Sequence, residues 1–366
     1  MLIKEVRSMK YTFEISIAGC NTDCLHCYVD GGPGAVMPYE DYILCIKKLK
    51  PVLDCLDGEI SVTLGNELFN HTMAKDIVRE THKFMPEYFT YEEVGINTTG
   101  IALLKMPKDE RDELMDALVD AGAKSACLTL HGNEEHHNEI VRNNKAFEAI
   151  KKTADYFNYY GIELFFSIMM NKYVVEDWRD IAKFLKKTPH YGAFAVVPLY
   201  LPIERLREYQ QIRAEYDDYF KLKGKMEPIG IDEEDLFETV ETYNEEAVAD
   251  LVMNGFDYEE AEDKCPNWTF FNIDHNLNLY FGNAGARTKL IGNLKSFSTS
   301  QLIEAIKNLK ANYDYSAYYD IDELPPVSEI LQKIKPLKTN YVYPDIASCL
   351  YSWFDLCSIP SRIITY

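Results

Sequence analysis

Between residue 11 and about residue 220, short β-rich runs alternate with helical patterns, and this rhythm admits few folds. The strands are predicted at Tyr11 to Ala18, Glu59 to Leu64, Val94 to Thr98, Ala126 to Leu130, Ile162 to Met170 and Phe194 to Leu199. The helices between and after them are expected at Tyr39 to Leu53, His71 to Met85, Asp109 to Ala121, Asn144 to Tyr160, Val175 to Lys187 and Ile203 to Phe220. In the first helix, Ile43, Leu44, Ile46, Leu49 and Leu53 recur near helical spacing. Gly122 follows the third helix as a C-terminal cap. Six βα units predict an α/β fold, a partial (β/α)6 TIM-like barrel. In such sheets chemistry gathers at the carboxyl ends of the strands. The loop after the first strand, Gly65-Asn66-Glu67, Thr98-Thr99-Gly100, His131-Gly132 and Asn171 all fall there.

The loop after the first strand reads Gly19-Cys20-Asn21-Thr22-Asp23-Cys24-Leu25-His26-Cys27-Tyr28. Cys20, Cys24 and Cys27, spaced CxxxCxxC, can hold three irons of a [4Fe–4S] cluster as thiolates and leave the fourth iron open. A zinc knot using these cysteines and a distant fourth ligand is the alternative. His131, His136 and His137 suggest a second metal. Adjacent histidines in an acidic loop are, however, expected to be solvated.

The chain has 366 residues, enough for one large domain and a smaller one, and a 47% hydrophobic fraction supplies a core. No apolar run approaches the ~18 residues that span a bilayer. Met1 to Arg7 lack the apolar core of a signal peptide. A cytoplasmic protein with no membrane partner is therefore expected. Its nine cysteines then read as reduced thiols or cluster ligands. Cys45, Cys55 and Cys127 lie within helix or strand patterns and read as core. A net charge of −21 repels phosphate backbones and argues against nucleic acid as a partner. The run Tyr313 to Tyr319 reads as a packed surface loop.

With the cysteine loop in this setting, residues 10 to 200 resemble the radical SAM superfamily. The resemblance implies one [4Fe–4S] cluster whose open iron chelates S-adenosylmethionine (SAM). An external one-electron donor such as flavodoxin or ferredoxin would reduce the cluster. Leu64-Gly65-Asn66-Glu67-Leu68 is similar to the family's Gly-Gly-Glu-Pro after the second strand, with Asn66 for the second glycine and Leu68 for proline. By resemblance, Gly65, Asn66 and Glu67 receive the SAM ammonium; the alternative is an ordinary turn with an exposed Glu67. Leu128-Thr129-Leu130-His131-Gly132, followed by Arg142, is similar to the corresponding run of the SPASM-type subgroup. That likeness implies that Thr129 contacts SAM and that Arg142 pairs with its carboxylate, although Arg142 also reads as a surface helix residue. His26 occupies the position of an aromatic residue near adenine, or packs over the cluster.

From about residue 225 the rhythm changes, dividing a 1–225 core barrel from a 226–366 domain. Acidic helices from Asp232 to Met253 lead to Cys265-Pro266-Asn267. A hairpin then pairs Trp268 to Ile273 with Leu277 to Phe281 around Asp274-His275-Asn276. This order resembles the opening of a SPASM or twitch domain, a smaller α+β unit capping the active site. Tyr280-Phe281-Gly282-Asn283 carries no cysteine where the family places one. Cys265, Cys349 and Cys357 make three, whereas a closed cluster normally needs four thiolates. The expectation is a degenerate SPASM-like domain without an auxiliary cluster. Cys265 is then free to be a hydrogen-atom donor to a substrate radical, or is a buried structural cysteine. The implied activity is hydrogen-atom abstraction from a peptide or small-metabolite substrate, with epimerisation, dehydrogenation, rearrangement or ring formation as outcomes. The first strand, beginning near residue 11, leaves no obvious N-terminal leader-peptide domain. A non-enzymatic iron–sulfur or zinc protein, serving redox or interaction, is the alternative class.

Overall fold

The computed structural model describes residues 10–27, 29, 32–89, 95–199, 208–255, 268–282, 290–308, 329, 339–346, 348–350 and 352–353. The βα rhythm forms as expected. Strands β1 (Lys10–Ala18), β2 (Glu59–Asn66), β3 (Ile96–Asn97), β4 (Ser125–Leu130), β5 (Glu163–Met169) and β6 (Gly192–Val196) alternate with helices. The main helices are α1 (Tyr39–Leu53), α2 (Ala74–Phe84), α4 (Lys108–Asp120), α6 (Ala146–Tyr159) and α8 (Trp178–Leu185). Three short helices add to these: α3 (Ile101–Lys105), α5 (Glu134–Val141) and α7 (Lys172–Glu176). Helix α4 ends as its sequence requires. Gly122 takes φ +86° and donates to the Val119 carbonyl, and Ala123 donates to Leu118, a Schellman closure that glycine permits.

The ladders are parallel throughout the barrel: β1 with β2, and β3 with β4, β5 and β6 in turn. The strands form two sheets, one of order β3-β4-β5-β6, the other β2-β1-β7 (Trp268–Ile273)-β8 (Asn278–Phe281)-β9 (Leu290–Asn293). Between the two sheets, at β2 and β3, side chains take over from the ladder. The Glu67 carboxylate accepts from Thr98 Oγ1 (2.7 Å), the Thr99 amide (2.9 Å) and Thr99 Oγ1 (3.0 Å). Asn171 closes the β4 and β5 ends similarly, its Nδ2 donating to the His131 and Met169 carbonyls.

The predicted hairpin forms as β7 (Trp268–Ile273) and β8 (Asn278–Phe281), followed by β9 (Leu290–Asn293). Asp274 Oδ1 accepts from the Asn276 and Asn278 amides, and Leu277 turns at φ +66° with its side chain buried. Strand β7 pairs in parallel with β1, from Lys10 opposite Trp268 to Ile15 opposite Ile273, and so extends the barrel sheet. Phe13 stacks on Phe271 at 4.6 Å between centroids, sealing that edge. The acidic helices before it are α9 (Glu234–Thr242) and α10 (Glu245–Met253), and α11 (Thr299–Lys307) packs back on α1. No helix among the described residues is long and apolar enough to cross a membrane. Cys265, Asn283, Cys357, the run Tyr313 to Tyr319 and the start of the helix expected at Ile203 lie outside the described residues.

Candidate functional site

Successive strand residues point to opposite faces. One face of each barrel strand is packed core: Phe13, Ile15 and Ile17 on β1, Ala126, Leu128 and Leu130 on β4, Leu164, Phe166 and Ile168 on β5. The other faces line a cavity of about 590 Å³, with Glu14 from β1, Thr63 and Gly65 from β2, Cys127 and Thr129 from β4, and Ser167 and Met169 from β5. A fully packed parallel barrel would read as near-continuous apolar strands. The polar alternate face marks a site inside the barrel, and its volume falls within the roughly 300–1,000 Å³ of small-molecule pockets.

Cys20, Cys24 and Cys27 all line this cavity. Their loop is fastened on both sides: Gly19 donates to the Ala35 carbonyl, Asn70 Nδ2 to the Gly19 carbonyl, and the Leu25 amide to Ile140. Cys24 is 8% exposed, packed among Ile101, Val141, Ala146 and Ala149. Burial pushes its thiol up to about 11, so a bound metal is what would hold it as thiolate at neutral pH. Among the described residues, no three His, Cys, Asp or Glu side chains converge on a single ion. A four-iron cluster takes one thiolate per iron and asks for spread instead. The residues present fit such a cluster. Three thiols from one loop open on one cavity, and the Nδ1 atoms of His26, His131 and His137, lining the same cavity, are buried without a partner.

Gly65, Asn66 and Glu67 line the cavity as well. Asn66 takes φ +59°, a left-handed conformation that Asn tolerates better than most side chains, which explains how it replaces a family glycine. At Gly65 an added Cβ would lie 2.3 Å from Glu14 Cγ, so only glycine leaves room for that side chain. Glu67 is 1% exposed, which overturns the alternative of an exposed turn residue. Burial raises its carboxyl above the usual range, opposed by the Thr98 and Thr99 hydrogen bonds.

The expected acidic, solvated histidine loop is instead helix α5. Asn133 caps it by accepting from the Glu135 and His136 amides. His131 and His137 are 1% and 2% exposed, with ring centroids 5.4 Å apart, and His26 stands 4.0 Å from His131. Burial drives His26 down to about 4 and His137 to about 3, so the cavity wall holds neutral imidazoles at neutral pH. His136 points elsewhere, bonding Asp177 Oδ2 at 2.7 Å and stacking on Tyr173 at 3.9 Å.

Thr129 faces the cavity, whereas Arg142 is not among the lining residues. Arg142 ends α5 at φ +55° and pairs with Asp23 Oδ2 (2.8 Å) and Glu208 Oε2. Two cysteines read as core prove otherwise. Cys127 lies on the cavity face of β4, and Cys55 is exposed in the turn after α1. Cys349 is fully buried among Tyr343, Leu350 and Trp353, in a separate apolar cluster. Glu14 was missed by sequence reasoning. Its signal was a carboxylate in the middle of a strand covered on both faces.

A partial parallel barrel with three thiols of one loop at its carboxyl end defines a class of iron–sulfur enzymes that use SAM. The sequence profile of the Radical SAM superfamily matches residues 15–185. Residues 15–185 thus form a radical SAM domain, an enzyme domain with a [4Fe–4S] cluster and SAM as its cofactors. The zinc-knot and non-enzymatic readings give way to this one. Two solved structures share the fold. Native anSMEcpe with bound AdoMet and Cp18Cys peptide is 15% identical, with a TM-score of 0.57 over 94% of this chain and 95% of that one. Streptococcus suis SuiB bound to S-adenosylmethionine is 12% identical, with a TM-score of 0.53 over 88% of this chain and 70% of its own. No curated protein sequence matches the chain.

Proposed function

We propose that this radical SAM enzyme abstracts a hydrogen atom from a peptide or small-metabolite substrate held inside the barrel, and that its C-terminal region is a SPASM-like domain without an auxiliary cluster. When bound and reduced, the cluster would supply the one electron needed for reductive cleavage of SAM. The chain's own residues do the rest. Cys20, Cys24 and Cys27 bind the irons. Gly65, Asn66 and Glu67 receive the SAM ammonium, Thr129 contacts SAM, and His26 packs beside its adenine. Arg142 reaches the SAM carboxylate only by leaving Asp23 and Glu208. An external flavodoxin- or ferredoxin-type donor supplies the electron. The observation that carries this reading is the convergence of the three thiols, the Gly65–Glu67 segment and Thr129 on one cavity. The peptide bound to anSMEcpe, a protein of the same fold, favours a peptide over a metabolite.

The test is anaerobic reconstitution, with iron and sulfide counted per chain, EPR of the reduced protein with and without SAM, and 5′-deoxyadenosine assayed after reduction. About four irons, a SAM-shifted signal and 5′-deoxyadenosine are expected. About eight irons would overturn the cluster-free C-terminal domain. Loss of 5′-deoxyadenosine from a four-iron protein would overturn the radical chemistry.

A further inference from the structure

The described residues lining the cavity include three carboxylates, Glu14, Glu67 and Asp345, and neither lysine nor arginine. Glu67 already accepts from Thr98 and Thr99 at the β2–β3 junction and belongs to the segment assigned to the SAM ammonium. Asp345 belongs to the C-terminal segment, where its Oδ1 accepts from the Ser348 amide at 2.7 Å. Glu14 is different. It sits in the middle of β1, opposite Thr63 on β2 and Asn272 on β7. Asn272 Nδ2 donates to Glu14 Oε1 at 3.0 Å and to Ser16 Oγ at 3.0 Å, which fixes the carboxylate from the C-terminal sheet. Its other oxygen, Oε2, has no partner among the described residues. The carboxylate lies over Gly65, where any Cβ would strike it, and so stands beside the segment that receives SAM.

A carboxylate oriented by one neutral donor, with one oxygen open to an anionic cavity, is a half-made ion pair. We propose that Glu14 anchors the substrate, and that the group entering the barrel carries a cationic nitrogen: a lysyl or arginyl side chain, or another protonated amine. The proposal rests on the hydrogen-abstraction reading and deepens it. The acceptor also answers why a strand covered on both faces carries an acidic residue at all, since burying an unpaired carboxylate costs stability. Burial holds the free carboxyl at about 7, and an incoming cation would favour its ionised form.

SAM itself carries positive charge, so the test separates the two sources. The reconstituted, SAM-loaded enzyme is titrated by calorimetry with Nα-acetyl-lysine N-methylamide, Nα-acetyl-arginine N-methylamide and the uncharged Nα-acetyl-norleucine N-methylamide. The wild type is expected to bind one of the cationic probes roughly tenfold or more tighter than the norleucine probe, as a charge-assisted contact gives. Glu14→Gln should erase that preference while iron content, the SAM-shifted EPR signal and SAM affinity stay unchanged. Equal binding of cationic and neutral probes by the wild type overturns the proposal without any variant. So does a preference that survives in Glu14→Gln, or a comparable loss of SAM affinity, which would make SAM the cation. All of these results are read on protein with a normal four-iron signal and SAM cleavage. Failure of those controls in the wild type would instead sink the hydrogen-abstraction reading itself.

Discussion

Replacing Glu14 by Gln should stabilise the protein above neutral pH. Desolvation inside the barrel is the main cause that raises the Glu14 carboxyl from 4.5 to about 7, and the Asn272 hydrogen bond opposes it. The residues facing it are Thr12 and Ser16 on β1, Thr63 and Gly65 on β2 and Asn272 on β7, and none of them ionises. A carboxyl whose folded pKa lies above its unfolded one favours folding in its protonated form. That contribution is fully present below 4.5 and is lost as pH rises through about 7. The gap between those two values corresponds to roughly 3 kcal/mol. Gln keeps the shape and can still accept from Asn272, but it never ionises. Wild type and variant should therefore have similar stability near pH 5, and the variant should lead by roughly 2–3 kcal/mol at pH 8. The assay is anaerobic urea unfolding of both cluster-loaded proteins at pH 5, 6.5 and 8, compared by midpoint at equal slope. Titration of the buried histidines and of Glu67 is common to both proteins and cancels in the difference. A difference that stays flat from pH 5 to 8 would refute a desolvated carboxyl at this position.

Glu67→Ala should cost about 3 kcal/mol or more by leaving the Thr99 amide unpaired at the β2–β3 junction, and Glu67→Gln only about 1, because Thr98 can turn its hydroxyl to accept. Urea midpoints that rank the two variants equally would contradict that. Phe271→Ala removes the ring stacked on Phe13 and should lower stability by about 3–5 kcal/mol. A melt in which the barrel and the C-terminal strands separate instead would show that β7 is not integral to the sheet. Single Ala replacements of Cys20, Cys24 or Cys27 should abolish the SAM-shifted EPR signal; a four-iron signal in any of them would remove that cysteine from the ligand set. Cys265→Ala tests the hydrogen-donor role: SAM cleavage should persist while product formation stops, and unchanged product formation would end that assignment.

The sequence makes the barrel legible because local patterns carry most of it. Strand and helix limits at Glu59, Asp109, Ala126 and Ile162 fall within a few residues of the observed ones, since hydrophobic periodicity and turn residues are short-range signals. The cysteine loop and Gly65–Glu67 are legible for the same reason: each is a contiguous run at a strand's carboxyl end. Helix α5 is not legible in the sequence because four polar residues in a row, Glu134 to His137, hide an inward face that shows only once the turn at Gly132 and the Asn133 cap are placed.

What local reading could not supply is the pairing of β1 with β7. The Asn272–Glu14 bond joins residues 258 apart in the chain, and no short-range pattern fixes a parallel register over that distance. Yet that pairing gives Glu14 its meaning. Without β7, the carboxylate would stand at an open sheet edge; with it, Phe271 closes the outer face, Asn272 holds Oε1 on the inner face, and the remaining oxygen is left to the cavity. The C-terminal sheet therefore acts on the site through one amide that orients one carboxylate. Asn272→Ala should consequently weaken any cation preference while leaving SAM binding intact, whereas Asn272→Gln, which keeps a donor on a longer arm, should retain part of it. If Asn272→Ala had no effect on cationic probes, the orienting role of the C-terminal sheet would be wrong, even with Glu14 still the anchor.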